Sequence, residues 1–207
     1  MADLDAIAVD ASTCTRCPLA LGRTHVVFGM GNPDAELVFV GEGPGADEDA
    51  AGLPFVGRSG KLLDRLMAEE MGLTRAHCYI TNMVKCRPPG NRDPRSEEVD
   101  VCRSWLDHQI DIIDPRVVVT LGNVATRALL GRTEGITRLR GQAYPWNDRL
   151  LVPTYHPSAV LRGSPGAMAG MRADLVRAKL VLDGSGPSVV PERPAGAGTP
   201  ASDLAPR

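Results

Sequence analysis

The segment that most constrains the fold runs from Glu36 to Gly45, where an apolar run breaks abruptly into a glycine-rich turn. Leu37–Val40 consists of residues that favour β-structure, and the sequence GEGPG follows it. This pattern is typical of a strand that is buried on both faces of a parallel sheet and ends at a functional loop. Ligands of open α/β sheets collect at such strand ends. We therefore expect Glu42, which no packing requirement explains, to take part in chemistry.

Three further apolar runs predict strands, and amphipathic segments between them predict helices. The strands are His77–Val84, Arg116–Leu121 and Leu150–Thr154, and the helices are Gly60–Met71, Ser96–Ile113, Asn123–Leu130 and Ala167–Leu182. Alternating strands and helices are typical of an α/β chain whose parallel sheet is covered on both faces. We predict a three-layer α/β/α sandwich with a central four-stranded parallel sheet.

Composition and length indicate one globular domain with a tail. Of the 207 residues 43% are hydrophobic and 23% charged, and the formal net charge is -2. Such a chain does not bind nucleic acid through bulk charge alone, so any such binding needs a local basic face. From Gly184 on, nine of 24 residues are glycine or proline and none is aromatic. We expect one domain over residues 1–183 and a disordered Gly/Pro-rich tail over residues 184–207.

The N-terminus does not resemble a targeting segment. It reads MADLDAI, which lacks the basic start and apolar core of a signal peptide, and no run approaches membrane-spanning length. We therefore expect a cytoplasmic protein without membrane contact, and we expect it to be a monomer. In the cytoplasm, disulfides are not the default use of five cysteines.

The positions of the cysteines favour a metal site. Cys14 and Cys17 form a CxxC pair, Cys86 lies in a proline-rich loop, and Cys102 falls in a predicted helix. The alternative is a set of scattered buried thiols, because free cysteine is a common core residue. Four thiolates suit zinc or a [4Fe-4S] cluster, and spacing alone does not choose between them, although zinc more often takes two CxxC pairs.

Polar side chains follow three of the predicted strands. Glu42 follows the first strand, Asn82 lies near the end of the second, and His156 follows the fourth. Because the carboxyl ends of parallel strands open on one edge of a sheet, these groups are placed to converge in one pocket. Taken singly, they have plainer interpretations as a solvated acid, a turn former and a satisfied histidine.

Two more features suit a pocket for a planar ligand that carries phosphates. Phe55 stands in a Gly/Pro loop, where its ring either stacks on a ligand or plugs the loop. Arginines cluster in the loops at this edge, as a basic rim for phosphates or as a solvated surface. They are Arg87, Arg92, Arg95, Arg138, Arg140 and Arg162.

Four blocks of sequence stand out together: GEGPG at 41–45, GLPFVGRSGKLLD at 52–64, TNMVKCRPPGNRDP at 81–94 and HPSAVLR at 156–162. In this order they resemble the family-four uracil-DNA glycosylases, which are iron-sulfur enzymes of base-excision repair, over roughly residues 10–182. The resemblance implies the uracil-DNA glycosylase-like fold, uracil-containing DNA as substrate, and hydrolysis of its N-glycosidic bond. It also implies a [4Fe-4S] cluster on four ligands and leaves Cys78 as a structural thiol. The implied ligands are Cys14, Cys17, Cys86 and Cys102.

The same resemblance implies roles in reading the base. Phe55 would stack on the flipped uracil, while the Asn82 amide pairs with its Watson–Crick edge and refuses cytosine. Glu48 resembles the residue that lies where a thymine methyl group would fall. His156 would hydrogen-bond to the developing uracil anion.

The resemblance also bears on the attacking water and on the DNA. Many relatives in the wider superfamily carry an aspartate beside the first glycine turn to orient the water. This chain has Gly43 at that position, and we expect Gly43 to contact the substrate. Glu42 is therefore our candidate for handling the water. Leu161 and Arg162 resemble the loop that enters the gap left by the flipped base.

Two other functions stay open at this point. A covalent uracil-DNA-binding relative shares the glycine turn and the HPS block, but it carries a histidine-bearing basic insertion after the second strand, and residues 86–94 contain no histidine. A non-catalytic iron-sulfur module that binds DNA or transfers electrons would keep the cysteines but would need no polar pocket.

Overall fold

The computed structural model describes residues 4–185, so the predicted tail lies outside the described residues from position 186 on. The helices are α1 (Leu4–Ser12), α2 (Ala46–Ala51), α3 (Arg58–Met71), α4 (Ser96–Ile113), α5 (Asn123–Leu130), α6 (Ile136–Leu139), α7 (Pro157–Leu161) and α8 (Ala167–Leu182). The strands are β1 (Met30–Gly31), β2 (Leu37–Gly41), β3 (Tyr79–Asn82), β4 (Val117–Leu121), β5 (Tyr144–Trp146) and β6 (Arg149–Thr154). Short 3-10 turns cover Pro18–Leu21, Arg75–His77 and Pro89–Asn91.

One sheet forms the centre, with the strand order β1-β3-β2-β4-β6-β5. The middle four strands are parallel, while β1 and β5 pair antiparallel at the two edges. The predicted α/β sandwich is confirmed, but the count of four strands is wrong, because the described residues form six. The two edge strands have only two and three residues, too few to show an alternating pattern in the sequence.

Helices cover both faces of the sheet, so β2 is buried throughout its length. Leu37 and Phe39 pack on one face with residues of α3 and α8, including Leu63, Leu66 and Leu175. Val38 and Val40 pack on the other face with α1, α4 and α5. Successive side chains of a strand point to opposite faces, so each apolar residue of the run serves one of two cores.

The helix predictions hold closely, whereas one strand is shorter than expected. Three predicted helices, α4, α5 and α8, have the observed bounds, and α3 begins at Arg58, two residues before the prediction. The second strand covers Tyr79–Asn82 instead of His77–Val84, because the 3-10 turn Arg75–His77 precedes it.

The registers of the sheet bring the strand ends to one edge. Gly41 at the end of β2 pairs with Asn82 at the end of β3, and Leu121 of β4 pairs with Thr154 of β6. The segments that follow these strands therefore open side by side. Within residues 4–185, no helix is both long enough and apolar enough to cross a membrane.

The two-core packing makes a prediction about stability. Leu66 is fully buried between α3 and the sheet, whereas Leu180 on α8 is 41% exposed. We expect Leu66→Ala to lower the melting temperature by roughly 5 to 20 °C, because the change removes buried methyl groups and leaves a cavity. Leu180→Ala, the matched control, should shift it by about 2 °C or less. Thermal unfolding followed by circular dichroism checks this, and equal shifts in the two variants would contradict the packing.

Candidate active site

A cavity of about 490 Å³ opens at the carboxyl edge of the sheet. It gathers every residue predicted for the pocket except Leu161. The predicted residues that line it are Glu42, Gly43, Glu48, Phe55, Asn82, His156 and Arg162. The polar residues expected at three strand ends, Glu42, Asn82 and His156, thus line one cavity. Their chemical roles stay predictions.

Asn82 is the most deeply placed polar group of this cavity. Its side chain lies at the end of β3 and is 1% exposed, and its amide oxygen Oδ1 is buried without a hydrogen-bond partner. A buried carbonyl oxygen that lacks a donor is costly unless a ligand supplies one. The orphaned oxygen therefore indicates a ligand that brings an N–H or O–H group.

Gly41 allows Asn82 and Phe55 to meet above the end of β2. A Cβ atom at Gly41 would lie 2.4 Å from Asn82 Oδ1 and 2.6 Å from Phe55 Cζ, which is closer than real Cβ contacts. Any other residue would push the amide or the ring away. The sequence analysis did not assign this role to Gly41, although the residue begins the GEGPG turn.

Phe55 is held rigidly even though it lies in a loop. Its backbone is in the left-handed region at φ 54, its ring is 5% exposed, and its carbonyl accepts a hydrogen bond from the Arg75 guanidinium. A Cβ atom at Gly60 would lie 1.6 Å from that carbonyl oxygen, so helix α3 packs directly against the loop. The Phe55 ring lies 5.9 Å from the His156 ring at an angle of 36°. It therefore lines the cavity and also packs in the apolar core with Leu37 and Phe39.

His156 precedes helix α7 and caps its first turn. Its Nδ1 atom accepts the main-chain N–H of Ser158 at 3.1 Å, and the Ser158 hydroxyl lies 2.8 Å from the same atom. Burial, and to a lesser extent the nearby positive charge of Arg162, lowers the pKa of His156 to about 4. The imidazole is therefore neutral near pH 7, with its proton on Nε2, because Nδ1 is occupied as an acceptor.

Burial in the same cavity raises the pKa of Glu42, whereas it lowers that of His156. Burial first, and then the neighbouring Asp93, raises the pKa of Glu42 to about 7, while the positive charge of Arg162 works in the other direction. A carboxyl group with such a pKa exchanges protons readily near neutral pH, which suits an acid–base role. Asp93 also lines the cavity and was not singled out from the sequence.

Glu48 braces two loops of the cavity. Its carboxylate accepts the main-chain N–H groups of Gly45 at 3.1 Å, Val56 at 3.0 Å and Gly57 at 2.8 Å. These bonds connect the glycine turn after β2 to the loop that carries Phe55. Glu48 therefore has a structural role that the sequence analysis did not foresee, in addition to its place on the cavity wall.

The basic rim is smaller than the sequence indicates. Arg92 and Arg162 line the cavity, and Arg92 also pairs with Glu98 through two bonds of 2.8 and 2.7 Å. Arg140 does not line the cavity, although its guanidinium lies over the ring of Tyr155, which does. Its guanidinium holds the buried Asp174 in a two-pronged ion pair at 2.8 and 2.9 Å. The two residues are far apart in sequence, so no local pattern announces their pairing.

Leu161 and Arg162 are two exposed side chains beside the mouth of the cavity. Leu161 lies at the end of α7 and is 47% exposed, as other large apolar side chains such as Leu53 and Leu180 are. Arg162 follows it, is exposed, and donates to the Ser158 hydroxyl at 3.1 Å. Together they form an apolar tip with a cation beside it, next to the cavity mouth.

A second, smaller cavity gathers the four cysteines that the sequence analysis grouped. Its lining includes Cys14, Cys17, Cys86 and Cys102. Cys78 lies elsewhere, buried with its sulfur 3.9 Å from that of Met67 in the core between α3 and the sheet.

Hydrogen-bond donors surround this thiol cavity. Arg16 donates to Cys14 Sγ at 3.3 Å, Arg23 to Cys86 Sγ at 3.4 Å, and the main-chain N–H of Lys85 to Cys102 Sγ at 3.4 Å. The Trp105 Nε1 atom, also on this cavity, is buried, and its N–H helps to lower the pKa of the Cys14 thiol. Several donors aimed at sulfur indicate that the site is built for negatively charged thiolates.

The spacing of the thiols bears on which group they hold. Within the described part of the chain, no three His, Cys, Asp or Glu side chains are close enough to hold a single metal ion. A tetrahedral zinc ion with bonds near 2.3 Å needs sulfurs about 3.8 Å apart. In the described residues the four thiols thus line one cavity but do not form a ready site for one metal ion.

Comparisons with known proteins agree with this arrangement. The family model described as the uracil DNA glycosylase superfamily matches residues 28–177. A type-4 uracil-DNA glycosylase of Thermotoga maritima is 47% identical over 161 residues, covering 77% of this chain and 83% of that protein. One of Sulfurisphaera tokodaii is 45% identical over 169 residues, covering 78% and 77%. A type-5 uracil-DNA glycosylase of Thermus thermophilus is 33% identical over 193 residues, covering 75% and 87%.

The environment of His156 predicts its protonation state. We expect its ring to stay neutral, with the proton on Nε2, from about pH 8 down to about pH 5, because its pKa is lowered to about 4. Nitrogen-15 NMR of the labelled imidazole, assigned by the loss of its signals in His156→Gln, measures this directly. A ring that gains a proton near pH 6.5, the ordinary histidine value, would contradict the enclosed site.

Proposed function

The chain belongs to the uracil DNA glycosylase superfamily, and on that premise we propose that it is a uracil-DNA glycosylase of base-excision repair. It hydrolyses the N-glycosidic bond of deoxyuridine in DNA, which releases free uracil and leaves an abasic site. The observation that carries the proposal is the buried, unpartnered Asn82 Oδ1 in a cavity shared with Phe55 and His156. We further expect the protein to act as a monomer in the cytoplasm.

Reading the base requires that uracil leave the DNA stack, because its reacting bond is unreachable inside a duplex. The flipped ring enters the cavity and lies against Phe55, whose ring already forms a wall there. Asn82 Oδ1 accepts the N3–H of uracil, and the amide nitrogen donates to O4. Cytosine presents the reverse pattern at these two positions, so it would leave the buried amide unpaired and is refused.

Breaking the N-glycosidic bond leaves negative charge on the uracil oxygen, and His156 stabilises this charge with a hydrogen bond. Because Nδ1 accepts the Ser158 N–H, the neutral ring offers its Nε2–H as a fixed donor. A donor that is oriented before the reaction stabilises a developing anion without reorganisation in the transition state. The lowered pKa keeps His156 neutral, so it acts as a hydrogen-bond donor and not as a general acid.

The attacking water is assigned to Glu42. Gly43 leaves the adjacent position without a side chain, and both residues line the cavity. When ionised, the Glu42 carboxylate accepts a proton of the water and orients its oxygen toward the sugar. Its pKa of about 7 keeps a substantial part of the enzyme in that ionised form at neutral pH.

Two further groups are assigned to specificity and to DNA. Glu48, fixed by three main-chain N–H groups, supplies a rigid wall where a thymine methyl group would need space. Leu161 is the exposed apolar tip that enters the gap left by the flipped base, and Arg162 contacts the DNA backbone beside it.

The thiol cavity is assigned to a [4Fe-4S] cluster. Cys14, Cys17, Cys86 and Cys102 would hold it, and the donors on Arg16, Arg23 and Lys85 would offset the charge of the thiolates. The buried Trp105 N–H beside Cys14 would be a further donor to the thiolates. A cluster held there would lie outside the active-site cavity and would support the fold around it, and no step of the hydrolysis passes through it.

The experiment that tests the function measures uracil release from DNA oligonucleotides that contain one uracil, cytosine or thymine. We expect free uracil and an abasic site from the first substrate only. A protein–DNA adduct that survives denaturation would indicate the covalent relative instead. No reaction with any substrate, at full cluster content, would indicate the non-catalytic module.

The cluster assignment predicts different outcomes for two cysteines. Purified protein should be brown, because iron–thiolate clusters absorb visible light and zinc does not. Cys17→Ser should lose both iron and colour, whereas Cys78→Ser, which changes a thiol outside the cavity, should keep both. Visible absorbance and metal analysis measure this. Colourless wild-type protein with stoichiometric zinc would refute the cluster.

The role of His156 predicts a split between rate and affinity. His156→Ala should cut single-turnover uracil excision by about 10² to 10³-fold, the usual effect of removing one preorganised donor to an oxyanion. Affinity for uracil-containing DNA should change little, because the anion exists only in the transition state. Rapid-quench kinetics and titration with a non-cleavable 2′-fluoro substrate separate the two. A parallel fall in rate and affinity would mean that His156 holds the DNA.

A further inference from the structure

Lys85 is a fully buried polar side chain that the proposed mechanism does not use. Its side chain is 2% exposed and lies between β3 and α4. The ammonium group donates to Thr81 Oγ1 at 2.7 Å, to the main-chain carbonyl of Asn82 at 2.8 Å and to Gln109 Oε1 at 2.6 Å. All three N–H donors are thus satisfied, and two of the acceptors belong to the last two residues of β3.

The partners of Lys85 are themselves tied into a closed network. The Thr81 hydroxyl donates to the carbonyl of Phe28 at 2.8 Å, and Gln109 Nε2 donates to the same carbonyl at 3.0 Å and to the Tyr79 hydroxyl at 3.2 Å. A fully satisfied buried network specifies one geometry, because any shift leaves a buried polar group unpaired. Hydrogen bonds from Lys85 and between its partners therefore fix the end of β3 on the side of α4.

The main chain of Lys85 faces the thiol cavity. Its N–H donates to Cys102 Sγ at 3.4 Å, and its carbonyl accepts the N–H of Val27 at 2.8 Å. One residue thus contacts a proposed cluster ligand through its backbone and Asn82 through its side chain.

We propose that Lys85 is the positioning residue for uracil recognition, whose ammonium group fixes the backbone of Asn82 and so aims its amide into the cavity. The inference rests on the proposed function, because it explains how the Asn82 amide is held in position to bind uracil. Asn82 has little freedom on its other side, because its oxygen already lies close to Gly41 and Phe55. A small movement of the strand end therefore misplaces the amide relative to the uracil edge.

The test compares variants that loosen this contact with one that weakens the fold equally elsewhere. Lys85→Met keeps the length of the side chain and removes its three hydrogen bonds. Thr81→Val is milder and removes one partner, so it serves if Lys85→Met does not fold. Thr120→Val is the matched control, since Thr120 is equally buried on β4 and, among residues 4–185, its hydroxyl pairs with that of Thr126, at 2.8 Å.

Iron content and visible absorbance are checked first for each variant. The measurements are then the rate of single-turnover uracil excision, the affinity for DNA that contains the 2′-fluoro substrate, and the melting temperature. Misplacing a reacting group by 1 Å costs up to about 10²-fold. We expect Lys85→Met to lose about 10- to 100-fold in rate and Thr81→Val less, with DNA affinity and iron content retained. Thr120→Val should keep the wild-type rate at a similar loss of melting temperature.

Rates that follow melting temperature equally in all three variants would overturn the proposal, because Lys85 would then only stabilise the fold. A second readout is the NMR signal of the Asn82 side-chain amide, assigned by its loss in Asn82→Asp. We expect it to shift or broaden in Lys85→Met and to stay unchanged in Thr120→Val. If the wild-type protein released no uracil, the proposed function would fail, but this signal would still decide whether Lys85 positions Asn82.

Discussion

The close approach of Asn82 and Phe55 above Gly41 is the constraint on which the site depends. Strands β2 and β3 end in register at Gly41 and Asn82, so the amide and the aromatic ring reach the same point from different directions. Only a residue without a Cβ atom leaves room for both. The apolar run before Gly41 buries the strand, and the absence of a side chain at its end turns that buried strand into the floor of a cavity.

Enclosure at this edge shifts two titratable groups in opposite directions. Burial disfavours the charged form of each group, so it lowers the pKa of His156 to about 4 and raises that of Glu42 to about 7. One physical cause thus favours a neutral imidazole and a carboxyl group near its titration midpoint in the same cavity. The strand ends that carry this cavity are held by hydrophobic layers on both faces of the sheet.

The segment from Thr81 to Cys86 joins the candidate active-site cavity to the thiol cavity. Asn82 lines the first, Cys86 lines the second, and Lys85 is hydrogen-bonded toward both. Only three residues lie between Asn82 and Cys86, a proposed cluster ligand. Lys85 thus connects the thiol cavity to the end of β3 through its main-chain and side-chain hydrogen bonds.

The sequence by itself determined the layers of the fold and the candidates for chemistry. The apolar runs gave the four parallel strands, and the rule that ligands collect at their carboxyl ends singled out Glu42, Asn82 and His156. Tertiary structure alone decided which groups meet across long separations. It paired Arg140 with Asp174 in the interior and placed Asp93 beside Glu42. Such pairings depend on how layers pack in three dimensions, and local periodicity carries no record of them.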